Sequence, residues 1–203
     1  MKITKNGFVN KVYQFFKPWL TIIIVITILR YTGLMSSISV FTNSVILKTG
    51  LMDIRPEEET AVRLFDYNFE LRDLKGNIIE ATTLKDKVVF INLWATWCGP
   101  CRAEMPSIQE LYNKVDSSKI LFVMLSLDKP QNIEKVKQFV ADKEFTFPVY
   151  MPNGSLPKQL NVSSIPTTFV IGKDGKIKMQ KTGVASYNTP KFEKFINDLT
   201  AAN

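Results

Sequence analysis

The sequence predicts an α/β fold: a mixed central sheet with helices on both faces, opened by a β-hairpin, carrying an extra β-α stretch, and preceded by an N-terminal transmembrane anchor. Three observations lead there. Val88–Trp94 and Ile120–Leu127 are apolar runs of strand length and suit strands buried on both faces. Segments with helical apolar spacing alternate with these runs. Trp19–Leu29, close to the N-terminus, is eleven residues without a charge.

Phe65–Leu71 and Asn77–Glu80 read as strands of a hairpin, with Asp73-Leu-Lys-Gly76 as its turn. After the Val88 strand, Arg102–Val115 has helical spacing at Met105, Ile108, Leu111, Tyr112 and Val115. Asn132–Glu144 is a second helix, Phe147–Met151 a short strand, and Leu156–Leu160 one helical turn. Thr167–Ile171 and Ile177–Thr182 are strands joined by a tight Gly172-Lys-Asp-Gly175 turn. Thr189-Pro190 is an N-cap followed by proline at the first helical position, so it starts the last helix, through Phe192, Phe195, Ile196 and Leu199.

Charge divides the chain. Residues 1–52 hold six basic side chains and no acid. The remainder has twenty basic against nineteen acidic groups, which leaves the folded domain without the basic excess of a nucleic-acid binder. Lys2, Lys5, Lys11 and Lys17 all precede the apolar run, so the positive-inside rule keeps them cytoplasmic and exports the rest of the chain. Eleven residues span roughly 16 Å as a helix, about half the hydrocarbon thickness. A full span must therefore borrow neighbours, forward past Arg30 or back over Phe15 and Phe16. A cleaved signal peptide is the competing reading, with Ser37-Ile38-Ser39 as a poor cleavage site. Leu34, Ile38, Phe41, Val45 and Met52 continue with helical spacing, as a surface-lying helix, or as the completion of the span or a coiled stalk. Asp53–Glu59 brings a proline and an acid cluster. The expected organisation is residues 1–52 as basic tip, anchor and amphipathic stretch, 53–59 as linker, and 60–203 as the folded domain.

The chain has two cysteines, Cys98 and Cys101, and no histidine. Cys-x-x-Cys can be a redox centre, half a zinc site or a coincidence. Zinc would need two further Cys or His ligands, which are lacking, so no metal and no cofactor is expected. The motif follows a buried strand and opens a helix. Unpaired N–H groups and the partial positive charge there favour a thiolate. Three positions apart, the two sulfurs can meet within disulfide geometry. Cys98, at the helix end, is the expected nucleophile with a depressed pKa; Cys101, one turn in, is the expected resolving thiol. Pro100 suits the first turn, where its missing N–H costs nothing.

Residues 89–106, Val-Phe-Ile-Asn-Leu-Trp-Ala-Thr-Trp-Cys-Gly-Pro-Cys-Arg-Ala-Glu-Met-Pro, together with Ser164-Ile165-Pro166-Thr167 and the Phe-x-Leu opening at Phe69, resemble the thioredoxin superfamily. The similarity is greatest to its membrane-anchored TlpA/ResA-like branch. It implies a thioredoxin-like fold over about residues 60–203. It also implies a cis-proline loop at Pro166, turning the backbone of Ile165 toward an extended client segment. Trp97, Gly99, Pro100, Ile165 and Pro166 form the implied substrate-binding set, with Trp97 over Cys98 and Trp94 in the core. Glu104 matches a glutamate near the motif, which makes it a third catalytic candidate that takes or relays the proton of Cys101; otherwise it is a solvated first-turn residue. Asn92 stands where cytoplasmic thioredoxins have a buried aspartate and cannot accept that proton. The absence of histidine argues against thioredoxin-like copper carriers.

The implied activity is dithiol–disulfide exchange with cysteine-containing client proteins, outside the cytoplasm, on a single-pass inner-membrane anchor. A membrane electron donor would re-reduce the pair. The Gly-Pro dipeptide resembles that of thioredoxin and leans toward a reductant, with apocytochrome c or another exported thiol protein as client. An oxidase or isomerase of the same fold, a thiol peroxidase and a non-catalytic peptide-binding module are the alternatives.

Overall fold

The computed structural model describes residues 63–201. The expected anchor, amphipathic stretch and linker, residues 1–59, lie outside these residues. Seven strands form one sheet in the order β2-β1-β5-β4-β3-β6-β7. They are β1 Glu70–Asp73, β2 Ile78–Glu80, β3 Val88–Trp94, β4 Ile120–Ser126, β5 Val149–Asn153, β6 Thr167–Ile171 and β7 Ile177–Thr182. Among the described residues three α-helices accompany them: α1 Gly99–Lys114, α2 Ile133–Asp142 and α3 Pro190–Ala201.

The sheet is mixed. β3 pairs in parallel with β4 from Val88↔Ile120 to Trp94↔Ser126, and antiparallel with β6. β3 is buried along its whole length, as its unbroken apolar run requires. The β1–β2 hairpin closes on the expected turn. The Asp73 carboxylate accepts from the backbone N–H of Lys75 and Asn77, and Gly76 takes φ +96°, a conformation that glycine adopts without strain. The hairpin then pairs through β1 with β5.

The expectation of helices on both faces is corrected. Val88, Phe90 and Trp94 share one core cluster with Met105, Ile108 and Leu111 of α1, Val136 of α2, and Phe192 and Ile196 of α3. All three helices therefore cover the same face. Strands β3, β4 and β5 advance in one direction across the sheet, and right-handed crossovers between parallel neighbours return their helices to a single side. The other face, with Val89, Ile91 and Leu93, is covered by Phe65, Tyr67 and Phe69 and by the short 3-10 turns Ala81–Leu84 and Lys158–Leu160. Met105, Ile108 and Leu111 are fully buried. Each stabilises the seat of α1 by about 1.5–3 kcal/mol.

Two strand boundaries also move. Phe65, Tyr67 and Phe69 do alternate inward, but only the end of that expected strand enters the ladder. Before it the chain is held by Phe65 N–H to the Gly175 carbonyl and by Ala81 N–H to the Phe69 carbonyl, and turns locally where Phe69 N–H donates to the Tyr67 carbonyl at 2.9 Å. The strand expected at Phe147 starts instead at Val149, just past Pro148, which has no N–H to give to a ladder. The expected cap of α3 is present: Phe192 N–H donates to Thr189 Oγ1 at 3.2 Å.

Candidate active site

The centre is built where β3 ends. Ala95 to Cys98 make a tight turn, closed by Cys98 N–H to the Ala95 carbonyl at 3.1 Å. Cys98 is the N-cap of α1, and Pro100 occupies the first turn. Cys98 and Cys101 are joined by a disulfide, with Cα atoms 5.3 Å apart. The Cys101 N–H donates to Cys98 Sγ at 3.2 Å. That N–H and the helix N-terminus behind it are the groups that stabilise a thiolate at such a position. Cys98 retains 5% exposure and Cys101 none, so a client can reach only the first sulfur.

Further expected residues flank the pair. The Ile165–Pro166 peptide is cis, and the Ile165 carbonyl oxygen is 3.9 Å from Cys98 Sγ. Trp97 is 65% exposed, whereas Trp94 is fully buried. The Trp97 indole, one residue before Cys98, is thus left open to solvent and not packed in the core.

Glu104 is not a solvated first-turn residue: it is completely buried, one turn beyond Cys101. Asn92 Nδ2 donates to its Oε1 at 2.7 Å, and Ala185 N–H donates to its Oε2 at 3.1 Å. Burial pushes its pKa up to about 8, with the Asn92 and Ala185 hydrogen bonds working in the opposite direction. A carboxyl of that kind changes protonation near neutral pH, which is what exchange of a proton with a thiol requires. Asn92 also donates to Thr168 Oγ1 at 2.9 Å, and Tyr187 Oη donates to the same oxygen at 2.6 Å. Burial holds the Tyr187 phenol well above its ordinary range, with the Glu104 charge adding to it. Asn92 thus does not replace the acid but holds it. An aspartate there would put two carboxylates in one dry site, where both cannot ionise.

Sequence reasoning did not find Thr168, Ala185 or Tyr187, which join the site from β6 and from the loop before α3. Nor did it find Thr96, Ser126 and Asp128, a buried polar group at the ends of β3 and β4. Ser126 and Asp128 break an apolar run at the carboxyl end of a parallel strand, the usual place for functional polar groups, and that signal was legible. Among the described residues, no group of three or more Cys, Asp or Glu could hold a metal ion.

Comparison with known proteins agrees with this geometry. The AhpC/TSA family profile matches residues 66–180. The chain is 36% identical over 134 residues to the thiol-disulfide oxidoreductase ResA of Bacillus thuringiensis subsp. konkukian, covering 66% of this chain and 75% of that one. It is 32% identical to ResA of Oceanobacillus iheyensis over 137 residues, 65% of this chain and 69% of the relative. A thiol:disulfide interchange protein of the thioredoxin family from Chlorobium tepidum superposes with TM-score 0.55 at 24% identity, over 73% of this chain and 99% of its own, which speaks to the fold alone. With a buried strand ending in a Cys-x-x-Cys helix beside a cis-proline, and with these relatives, the chain belongs to the AhpC/TSA family and, within it, to the ResA-type thiol-disulfide oxidoreductases of thioredoxin-like fold.

Proposed function

We propose that the chain is an extracytoplasmic, membrane-tethered reductant of protein disulfides. Its clients would be exported thiol proteins, apocytochrome c before haem attachment being the leading candidate. The observation that carries the exchange reading is the one-sided exposure of the pair: Cys98 is reachable beside the Ile165 carbonyl, and Cys101 is sealed behind it. A client segment pairs with the backbone at Ile165, rests against Trp97, Gly99 and Pro100, and presents its disulfide to Cys98. The Cys98 thiolate attacks one client sulfur, forming a mixed disulfide and expelling the other client thiolate. Cys101 then attacks Cys98 Sγ, regenerating the Cys98–Cys101 bond and releasing the reduced client. Glu104 takes up the Cys101 proton in that second step.

The reductant reading rests on the Gly99-Pro100 dipeptide and is tested by the reduction potential of the full chain. A value near −270 mV, as in thioredoxin, is expected, and one near −120 mV makes the protein an oxidant. Steady consumption of hydrogen peroxide at rates matching disulfide exchange would favour a peroxidase instead.

The tether reading rests on the sequence. No helix among the described residues is long and apolar enough to cross a membrane, and the Trp19–Leu29 run lies outside them. Protease added to spheroplasts should digest residues 60–203 and leave the basic tip protected. A mature N-terminus near Val40 would replace the anchor by a cleaved signal and leave export intact. A membrane electron donor, as the source that re-reduces the pair, belongs to the same proposal.

A further inference from the structure

Two residues before Cys98, Thr96 is held by a second buried carboxylate that the exchange steps do not use. Asp128 lies just past β4 and is 4% exposed. Its Oδ2 accepts from the Thr96 N–H at 2.8 Å and from Ser126 Oγ at 2.9 Å; its Oδ1 accepts from Thr96 Oγ1 at 2.7 Å. Its own N–H returns to Ser126 Oγ at 3.2 Å, and the neighbouring Leu127 N–H donates to the Trp94 carbonyl at 2.7 Å. Both donors of Thr96 therefore end on one carboxylate. Thr96 and Trp97 are the two central residues of the turn that closes at Cys98. A tight turn with free central residues can rock about its ends. One whose first central residue is gripped by backbone and side chain together has a fixed plane. That plane sets the direction of the exposed Trp97 and the approach of Cys98 Sγ to the Ile165 carbonyl.

We propose that Asp128 is a positioning residue for thiol–disulfide exchange, holding through Thr96 the turn that carries Trp97 and Cys98. The proposal rests on Cys98 being the nucleophile. Misplacing a reacting group by about 1 Å costs about a hundredfold in rate. Removing a buried acceptor strands the Thr96 N–H without a partner, so the turn must move to find one.

The test uses the reduced full chain, insulin as a protein disulfide, a small soluble disulfide and iodoacetamide alkylation of Cys98, all well below the melting temperature. Asp128→Ala should lower the exchange rate with insulin about tenfold to a hundredfold. It should also lower the alkylation rate at pH values where the thiol is fully ionised, and change the indole emission. Asp128→Asn keeps an oxygen for the Thr96 N–H and should stay within about threefold of the parent. Thr96→Val, which keeps the N–H bond and loses the hydroxyl bond, should fall between them, and Thr96→Ser should restore the rate. If Asp128→Ala does not fold, the comparison of Thr96→Val with Thr96→Ser decides alone. A folded Asp128→Ala with a lower melting temperature but unchanged exchange and alkylation rates reduces Asp128 to a structural residue and overturns the proposal. So does equal activity of Thr96→Val and Thr96→Ser. Cys98→Ala is run beside them: if it retains exchange, the nucleophile assignment has failed, whatever the Asp128 variants do.

Discussion

Cys98→Ala is expected to lower protein-disulfide reduction by at least about a thousandfold, because no other group in the site can open a disulfide. Cys101 has the right chemistry but no exposure, and the chain has no third cysteine. Cys101→Ser has a different signature. The first attack survives, since Cys98 keeps its place at the helix N-terminus and the N–H of residue 101 still points at its sulfur. The release step is lost, because a serine hydroxyl does not displace a thiolate from a disulfide. Mixed disulfides with clients should therefore accumulate, stable on non-reducing gels and dissolved by dithiothreitol. The trapped partners identify the clients directly. Insulin reduction by Cys98→Ala at the parent rate, or no trapping by Cys101→Ser from cells expressing it, would refute the assigned roles.

Glu104→Gln is expected to change the pH dependence of both stability and rate. The carboxyl is raised from 4.5 to about 8 in the folded chain, so between these values the folded state holds a proton that the unfolded state has lost. Stability is therefore fully present below about pH 4.5 and is lost as pH rises toward 8. The loss amounts to roughly 3–5 kcal/mol for a shift of this size. Glutamine carries no such proton. Melting of the two proteins, measured from pH 5 to 9, should converge at the acid end and separate at the alkaline end, with the glutamine variant the more stable. In the reaction the effects oppose each other. A carboxylate one turn from Cys101 disfavours thiolate, so Glu104→Gln should lower the thiol pKa values. Loss of the proton acceptor should slow release near neutral pH. A displaced pH–rate profile is the signature. Parallel melting curves together with an unchanged profile between pH 5 and 10 would mean that Glu104 handles no proton.

Much of the fold was legible because the strands that matter most are uniform. Val88–Trp94 is apolar at nearly every position and buried at every one, and the helix capped by Cys98 opens just five residues beyond it. Caps and turns were legible for a related reason. Asp73-Leu-Lys-Gly76 and Thr189-Pro190 act within four residues, through a side-chain oxygen that accepts from nearby backbone N–H groups. Phe65–Leu71 differs from its pattern because alternation reports burial and not pairing: a segment pressed on a sheet face can alternate as a ladder strand does. The expectation of helices on both faces differs from the fold for a topological reason, since element order alone does not reveal strand order.

The chemistry was already written in residue type and short spacing: two sulfurs three positions apart at a helix start, no third ligand for a metal, and no histidine to act as base. Bonds and one turn of helix are enough to set these properties. The purpose of the neighbouring polar residues was not, and it emerged with the packed fold. Glu104 stands on the first turns of α1 with the same sequence signature as a solvated acid. Its carboxyl is raised to about 8 only because the packed fold buries it, with Asn92 from β3 and Ala185 from the loop before α3 as the donors that partly offset the burial. Asp128 meets Thr96 across 32 positions because β3 and β4 run parallel in register and end side by side. A pKa and a buried hydrogen bond depend on what excludes water around a group, and that is settled by segments distant in the chain.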